Sequence, residues 1–233
     1  MRVAIMQPTY LPWSGYFGLM RSVDLFILLD SVQFARRSWQ QRNQIKTANG
    51  PIWLTVPVLS KGKRDQTIAD VEIDPTRDFP ESHLRAVELS YTKAPHFPDY
   101  RDQFADLLRG EHRRLVDCTV GVILWIRERL GITTPLRRSS EFSVSGAKSE
   151  LLVSLCEAVG ATEYVSPPGS KDYLDQTDIF VHRGLPLRYF HFAHPEYPQR
   201  FGAFVPYMSV VDLLFNCGPD SLAVIERGCT VAS

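Results

Sequence analysis

The sequence predicts an α/β fold with a mostly parallel sheet, started by a βαβ unit and carrying an inserted β-hairpin and a helical middle segment. Three observations predict it. Val3 to Met6 and the run Leu25-Phe26-Ile27-Leu28-Leu29 are short and continuously apolar, the pattern of strands covered on both faces. Gly15 to Val23, between them, can form about two turns of helix. Strand-then-helix alternations recur beyond Gly131, which extends the α/β layer and continues the first sheet.

Taken in order, the first strand is cut by Pro8 and Pro12, neither of which donates a ladder hydrogen bond. Asp24 and Asp30 bracket the second run. Open α/β sheets bind ligands beyond the carboxyl ends of their strands, so the loops after Met6 and Leu29, with Gln7, Tyr10, Asp30 and Gln33, form the expected ligand edge. Arg42 to Lys46 and Ile52 to Val58 flank Ala48-Asn49-Gly50, and Asn-Gly is a strong hairpin signal. Trp53, Thr55 and Pro57 there alternate with Leu54, Val56 and Val58. Lys61-Gly62-Lys63-Arg64-Asp65 reads as a polar loop, either solvated or an anion-holding flap, ahead of a strand near Ile68 to Ile73.

Helices are expected over Glu81 to Ser90, Tyr100 to Leu108 and His112 to Leu130, the last ended by Gly131. Leu115, Cys118, Val122, Trp125 and Ile126 recur at helical spacing and place Trp125 in the core. Pro135 to Ser140 then reads as a short strand and polar loop, Lys148 to Val159 as a helix ended by Gly160, and Glu163 to Ser166 as a strand. A helix over Thr177 to Arg183, a strand over Leu187 to Phe192 and helices over Ser209 to Leu214 and Pro219 to Arg227 complete the chain. Residues 1–135 form an N-terminal α/β portion with the hairpin and helices, and 136–233 a C-terminal α/β portion continuing the same domain.

Composition narrows the function classes. The 233 residues carry 26 Lys+Arg against 26 Asp+Glu, and 44% are hydrophobic, which describes a soluble globular chain with sequence enough for a core. Zero net charge argues against nonspecific nucleic-acid binding. No apolar run approaches the roughly 20 residues that cross a bilayer, and the start of the chain is too short in apolar residues for a secretion signal. A cytoplasmic protein is expected, with Cys118, Cys156, Cys217 and Cys229 as reduced thiols rather than a zinc knot. The expected partner is a small molecule, free or bound to a carrier protein, with no role for nucleic acid or membrane; the oligomeric state is open.

Two clusters carry the candidate chemistry. In Gln7-Pro8-Thr9-Tyr10-Leu11-Pro12-Trp13-Ser14-Gly15-Tyr16-Phe17, two prolines, a glycine and four aromatics make a rigid turn into a helix, whose free N–H groups suit an anion. In outline this resembles the strand, loop and helix of adenylate-forming nucleotidyltransferase folds, but their signature histidines are absent, with Pro12 and Tyr16 in that stretch. In Asp30 to Asn43, Arg42 can clamp a carboxylate or phosphate, Asn43 can fix an amide or hydroxyl, and Asp30 can serve as a general base; alternatively Arg42 pairs with Asp30 structurally. Asp30, Arg36, Arg37 and Arg42 thus predict a locally polarised site for a small charged substrate.

Further candidates are scattered. The Ser143-Val144-Ser145-Gly146-Ala147 loop with Lys148 can hold a phosphate, or Ser145 can simply cap the helix. Ser166 and Tyr173 flank a loop at the ligand edge. His191 and His194 are three apart near a strand, which points them to opposite faces, so no metal site is expected. Cys156 has core spacing, whereas Cys217, beside Asn216 and near Asp212, is less easily dismissed as a nucleophile.

Met6-Gln7-Pro8-x-Tyr10-x-Pro12-Trp13-x-Gly15-Tyr16-Phe17, Asp30-x-Val32-Gln33-Phe34, Trp39-x-x-Arg42-Asn43-x-Ile45 and Trp53-Leu54-Thr55-Val56-Pro57-Val58 resemble the WbqC-like family. Ser139-Ser140-Glu141, Gly160-Ala161-Thr162-x-Tyr164, Asp172-Tyr173-Leu174, Tyr197-x-Gln199 and Ser209-x-x-Asp212-Leu213-Leu214-Phe215-Asn216-x-Gly218 extend the resemblance over nearly the whole chain. Pro167-Pro168 departs from it, where a Ser-Gly type of turn is expected. Such proteins are encoded among surface-polysaccharide (O-antigen) and specialised-metabolite genes, and transfer of glycine or another aminoacyl unit to an amino sugar has been proposed for some.

The resemblance implies an acyl- or aminoacyl transferase acting on an amino sugar or another small amine. Asp30, Arg42 and Asn43 are its expected catalytic residues. Gln7, Tyr10, Trp13, Gln33, Trp39, Ser139, Lys148, Ser166, Tyr173, Tyr197, Gln199 and Asp212 are its expected substrate contacts. No cofactor is firmly implied; a thioester-linked acyl carrier or coenzyme A donor ranks ahead of ATP. The alternatives are an ATP-dependent ligase forming an acyl adenylate and a non-catalytic protein that presents a substrate.

Overall fold

The structure, a computed structural model, describes residues 1–232, with Pro168 described by its backbone alone. The chain begins β1 (Arg2–Met6), α1 (Ser14–Arg21) and β2 (Leu25–Leu28), and β1 and β2 pair in parallel from Val3↔Leu25 to Met6↔Leu28. This is the expected βαβ unit. The hairpin follows as β3 (Arg42–Thr47) and β4 (Gly50–Thr55), then α2 (Phe79–Tyr91), α3 (Phe97–Arg109) and α4 (Leu115–Arg129). The C-terminal part runs β5 (Leu136–Arg138), α5 (Ser149–Ala158), β6 (Glu163–Ser166), α6 (Lys171–Leu174), α7 (Ile179–His182), β7 (Leu187–Phe192), α8 (Val210–Cys217), α9 (Ser221–Gly228) and β8 (Cys229–Ala232).

One six-stranded sheet takes strands from both ends of the chain, in the order β5-β2-β1-β6-β7-β8. All its pairs are parallel except β7 with β8. Residues alternate between two apolar layers. Ala4, Phe26 and Leu28 join α1, α4 and α8 on one face, while Val3, Ile5, Leu25 and Ile27 meet Leu152, Leu155 and Cys156 of α5 on the other. Covering both faces is what makes β1 and β2 continuously apolar rather than alternating.

Some elements differ from expectation. Ile68 to Ile73 does not form a strand; Ile68–Asp70 is a 3₁₀ turn, because its N–H groups go to Val32 O and Asp30 O rather than to a ladder. The hairpin turn is Ala48-Asn49, with Gly50 at φ 97° as the first residue of β4, so Gly50 supplies the left-handed residue after the turn rather than its centre. The helix expected over Thr177 to Arg183 shortens to α7. The β8 edge strand and the single turn of α6 were not anticipated. No helix among the described residues is long and apolar enough to cross a membrane.

Candidate functional site

A cavity of about 500 Å³ opens at the carboxyl ends of β1, β2 and β6. Its floor is made by Ile5, Leu29, Leu152 and Tyr164; its upper walls by Gln7, Thr9 and Trp13 from the first loop, Ser38, Trp39, Gln40 and Asn43 from the second, and Pro167, Ser170, Tyr173 and Tyr207 from the C-terminal part. The position follows from the topology. Parallel strands place their following loops at one sheet edge, where the loops diverge and leave a crevice.

Local hydrogen bonds fix the walls. Gln40, buried, accepts from Ala35 N–H at 2.9 Å and donates through Nε2 to Gln7 Oε1 at 2.8 Å. Those two bonds orient the Gln7 amide so that its own N–H₂ remains a donor beside the cavity. Asn43 Nδ2 donates to Leu11 O, and Asn43 Oδ1 accepts from Gln44 N–H at 2.7 Å, which ties the first loop to the hairpin. A Cβ on Gly15 would lie 1.9 Å from Cζ3 of Trp13, so only glycine leaves room for that indole. Trp13 then meets Phe192 edge-on, with centroids 5.4 Å apart, and His194 at 5.3 Å. Trp39 packs at 5.2 Å on Trp53. The hydroxyl of Thr9 is shut away from solvent and has no hydrogen-bond partner in the protein, an uncommon state for a buried polar atom.

The cavity is electrically neutral. Among the described residues lining it there is no Asp, Glu, Lys, Arg, His or Cys. Its titratable groups are tyrosine phenols, and burial raises that of Tyr164 well above its ordinary value. The polarised site expected from Asp30, Arg36, Arg37 and Arg42 is therefore corrected: the charges lie around the cavity, not in it.

Of the expected site residues, Gln7, Trp13, Trp39, Asn43 and Tyr173 line the cavity. Asp30 does not. It is wholly buried, and its carboxylate accepts from Arg138 Nε at 2.6 Å, Ser139 Oγ at 3.1 Å, and the N–H and hydroxyl of Ser140, both at 2.9 Å. Ser139 belongs to this clamp, and also accepts from the N–H groups of Asp30 and Ser31. The alternative, an Asp30–Arg42 ion pair, does not form either. Arg42 lies instead over the Trp53 ring at 4.3 Å, with its Nε lacking a partner.

Tyr10 is corrected from cavity wall to core: it is wholly buried and its hydroxyl meets His83 Nδ1 at 2.9 Å, anchoring the first loop on α2. Burial lowers the His83 pKa to about 4, against a hydrogen bond to the Thr55 backbone, so the imidazole is neutral. Gln33 is exposed and donates to Arg64 O at 3.0 Å. Lys148 is exposed at the N-terminus of α5 with φ 52°, and neither it nor Ser145 caps the helix. Ser166 closes β6 and turns its hydroxyl to Pro167 O at 3.3 Å. The helix N-terminus of α1, read as an anion site, contributes neither Ser14 nor Gly15 to the cavity.

Tyr197, Gln199 and Asp212 form a second buried cluster together with two unanticipated residues, Lys46 and Tyr91. Asp212 accepts from Tyr91 at 2.8 Å, Tyr197 at 2.7 Å and Gln199 Nε2 at 2.8 Å, while Lys46 Nζ donates to Gln199 Oε1 at 3.1 Å and to Ala203 O. Burial raises the Asp212 carboxyl pKa, opposed by those hydrogen bonds, and burial beside Asp212 raises both phenols. The cluster joins β3, α2 and α8 to residues 197–205, and so supports the segment that brings Tyr207 to the cavity.

Burial also pushes the thiols up, Cys118 and Cys156 to about 12 and Cys217 and Cys229 to about 11. Among the described residues no group of three His, Cys, Asp or Glu is placed to hold a metal ion. Thr9, Ser38, Gln40, Leu152, Tyr164, Ser170 and Tyr207 were not singled out from sequence. Thr9 sat inside the first motif and could have been; Leu152 and Tyr164 carry only core signals.

A profile of the WbqC-like protein family matches residues 7–224. The chain is 39% identical over 222 residues to the uncharacterized protein Rv1507c of Mycobacterium tuberculosis (strain ATCC 25618 / H37Rv), covering 94% of this chain and 95% of that protein. No solved structure matches. The family's span takes in all three cavity walls, from Gln7 to Tyr207, and with it the chain belongs to the WbqC-like protein family.

Proposed function

We propose that the cavity holds an amino sugar, or a small amine of similar shape, and that the protein transfers an acyl or aminoacyl group to it from a thioester donor. The observation that carries this reading is the cavity's lining: aromatic rings and amides around an uncharged space of about 500 Å³. A pyranose has apolar C–H faces that stack on indole and phenol rings, and hydroxyls that exchange hydrogen bonds with amides. Gln7 Nε2 is the group best placed to receive them.

In the transfer, the amine nitrogen attacks the thioester carbonyl carbon. A C–N bond forms, the C–S bond breaks, sulfur leaves with the bonding pair, and the amine's proton ends on the thiol. No cavity side chain other than a phenol titrates, and the thiols are protonated, so a covalent cysteine intermediate has no support. Acceleration then comes from holding amine and carbonyl together and from neutral donors at the carbonyl oxygen. Asp30 and Arg42 act at a distance in this reading, Asp30 by clamping the loop after β2 to the loop after β5.

The same neutral lining favours a second reading, a binding protein that presents the sugar to another enzyme. Thiol release from a panel of acetyl, glycyl and longer acyl thioesters, with glucosamine and without ATP, separates the two. Amine-dependent release that falls in Gln7→Ala and Trp39→Ala supports the transferase. Glucosamine binding without turnover supports presentation, and amine-dependent pyrophosphate release from ATP supports a ligase instead.

A further inference from the structure

The cavity is neutral, but the loop forming its second wall is not. Residues 35–41 are braced by two buried glutamines, Gln40 Oε1 accepting from Ala35 N–H at 2.9 Å and Gln41 Oε1 from Arg37 N–H at 3.1 Å. Ser38 Oγ adds a bond to Ala35 O at 2.6 Å. The brace holds Arg37 at φ 58°, a left-handed backbone that a bulky residue adopts only at a cost. It leaves Arg36 and Arg37 exposed, next along the chain to Ser38 and Trp39 of the cavity wall.

A second basic loop is tied to the first. Gln33 Nε2 donates to Arg64 O at 3.0 Å, and Phe34 N–H to Gln66 O at 3.0 Å. Together the segments 33–41 and 60–66 carry Arg36, Arg37, Lys61, Lys63 and Arg64 against one acid, Asp65, in a chain whose charges sum to zero. Lys63 is bound to Glu72 at 2.8 Å. Among the described residues, the salt bridges include none from Arg36, Arg37, Lys61 or Arg64. Arg36 and Arg37 stand on a braced loop that runs into the cavity wall, Arg37 with a strained backbone, and the loop tied to it adds Lys61 and Arg64; such a cluster suits a multiply charged anion, and guanidinium forks match phosphate oxygens.

We propose that this cationic rim holds the diphosphate of a ligand whose remainder occupies the cavity, so that the substrate is a diphosphate ester. A sugar nucleotide and a coenzyme A thioester share that chemistry. The proposal rests on the cavity being the substrate site, and the test keeps the two apart.

The full chain is titrated calorimetrically with inorganic pyrophosphate, UDP and coenzyme A, and by tryptophan fluorescence with glucosamine. The comparison variant is Arg36→Gln/Arg37→Asn, since Asn tolerates the left-handed backbone at 37. The expected result is saturable pyrophosphate binding that weakens as salt rises from about 0.05 to 0.2 M and falls by about tenfold or more in the variant, with the glucosamine titration unchanged. Tighter binding of UDP than of pyrophosphate supports a sugar nucleotide, and tighter binding of coenzyme A supports a thioester donor. No saturable binding of any of the three, or equal binding by wild type and variant, overturns the rim while leaving the cavity reading intact. Pyrophosphate binding that depends on both arginines, with no glucosamine response, upholds the rim and overturns the cavity reading.

Discussion

Replacing Asp30 with Asn distinguishes a carboxylate that holds the structure from one that does the chemistry. The Asp30 side chain is wholly buried and accepts from four donors, Arg138 Nε and Ser140 Oγ on Oδ2, and Ser139 Oγ and Ser140 N–H on Oδ1. Asn keeps one acceptor oxygen and turns the other position into a donor, so whichever way the amide lies, at least one donor faces an N–H₂. The ion pair is lost as well. Removing one partner of a buried pair costs about 3–5 kcal/mol. The Arg138 side chain is 31% exposed, so water recovers part of that, and a loss of about 2–4 kcal/mol is expected. For a chain of this size, about 3 kcal/mol lowers Tm by roughly 6–12 °C. Thermal unfolding by circular dichroism measures the loss, and thiol release well below the variant's Tm measures the chemistry. The expected outcome is a clear fall in Tm with turnover largely kept. A variant with wild-type Tm and abolished turnover would instead assign Asp30 the role of general base.

Three further outcomes follow from the structure. Because burial lowers the His83 pKa to about 4, the unfolded imidazole, near 6.5, binds a proton the folded one does not. Stability is then full above about pH 6.5 and falls as pH drops toward 4, by about 3 kcal/mol; His83→Gln should flatten that slope in urea titrations, and an unchanged slope would reject the assignment. Gly15→Ala puts a Cβ 1.9 Å from the Trp13 ring, so the indole must shift at a cost of about 1–3 kcal/mol; tryptophan emission should change and glucosamine binding weaken, and a variant identical in both would mean Trp13 is not a wall. The thiols, pushed up to about 11 and about 12, should leave the native protein slow to react with iodoacetamide at neutral pH and active after treatment, whereas rapid inactivation by modification of Cys217 would point to a nucleophile.

The βαβ start and the sheet were legible because β1 and β2 are apolar on both faces, a signal that survives in one dimension. The ligand edge was legible too, since parallel strands fix where their loops gather, and Gln7, Trp13, Trp39, Asn43 and Tyr173 all reach the cavity from such loops. Partnerships across the fold were not. Sequence proximity offers Arg42 as a partner for Asp30, but its donors are Arg138, Ser139 and Ser140, more than a hundred residues on, brought beside it by the pairing of β5 with β2. Tyr10 shares a loop with Gln7 and Trp13, and only the packing of α2 turns it inward. Leu152 and Tyr164 look like core in sequence because they are core, with one side left open to the cavity. The 68–73 segment has strand composition, yet its hydrogen bonds are taken by the loop after β2 before a ladder can form.

The affinity of Trp39→Ala for glucosamine, relative to wild type, tests most directly whether the neutral aromatic cavity receives the sugar. Trp39 is 48% exposed and lines the cavity, so its truncation should lower Tm little. If the indole stacks on the C–H face of the sugar, the change weakens binding by about two- to tenfold, the worth of one aromatic contact. Equal affinities for wild type and Trp39→Ala, at equal stability, would mean that the cavity is not where the sugar sits.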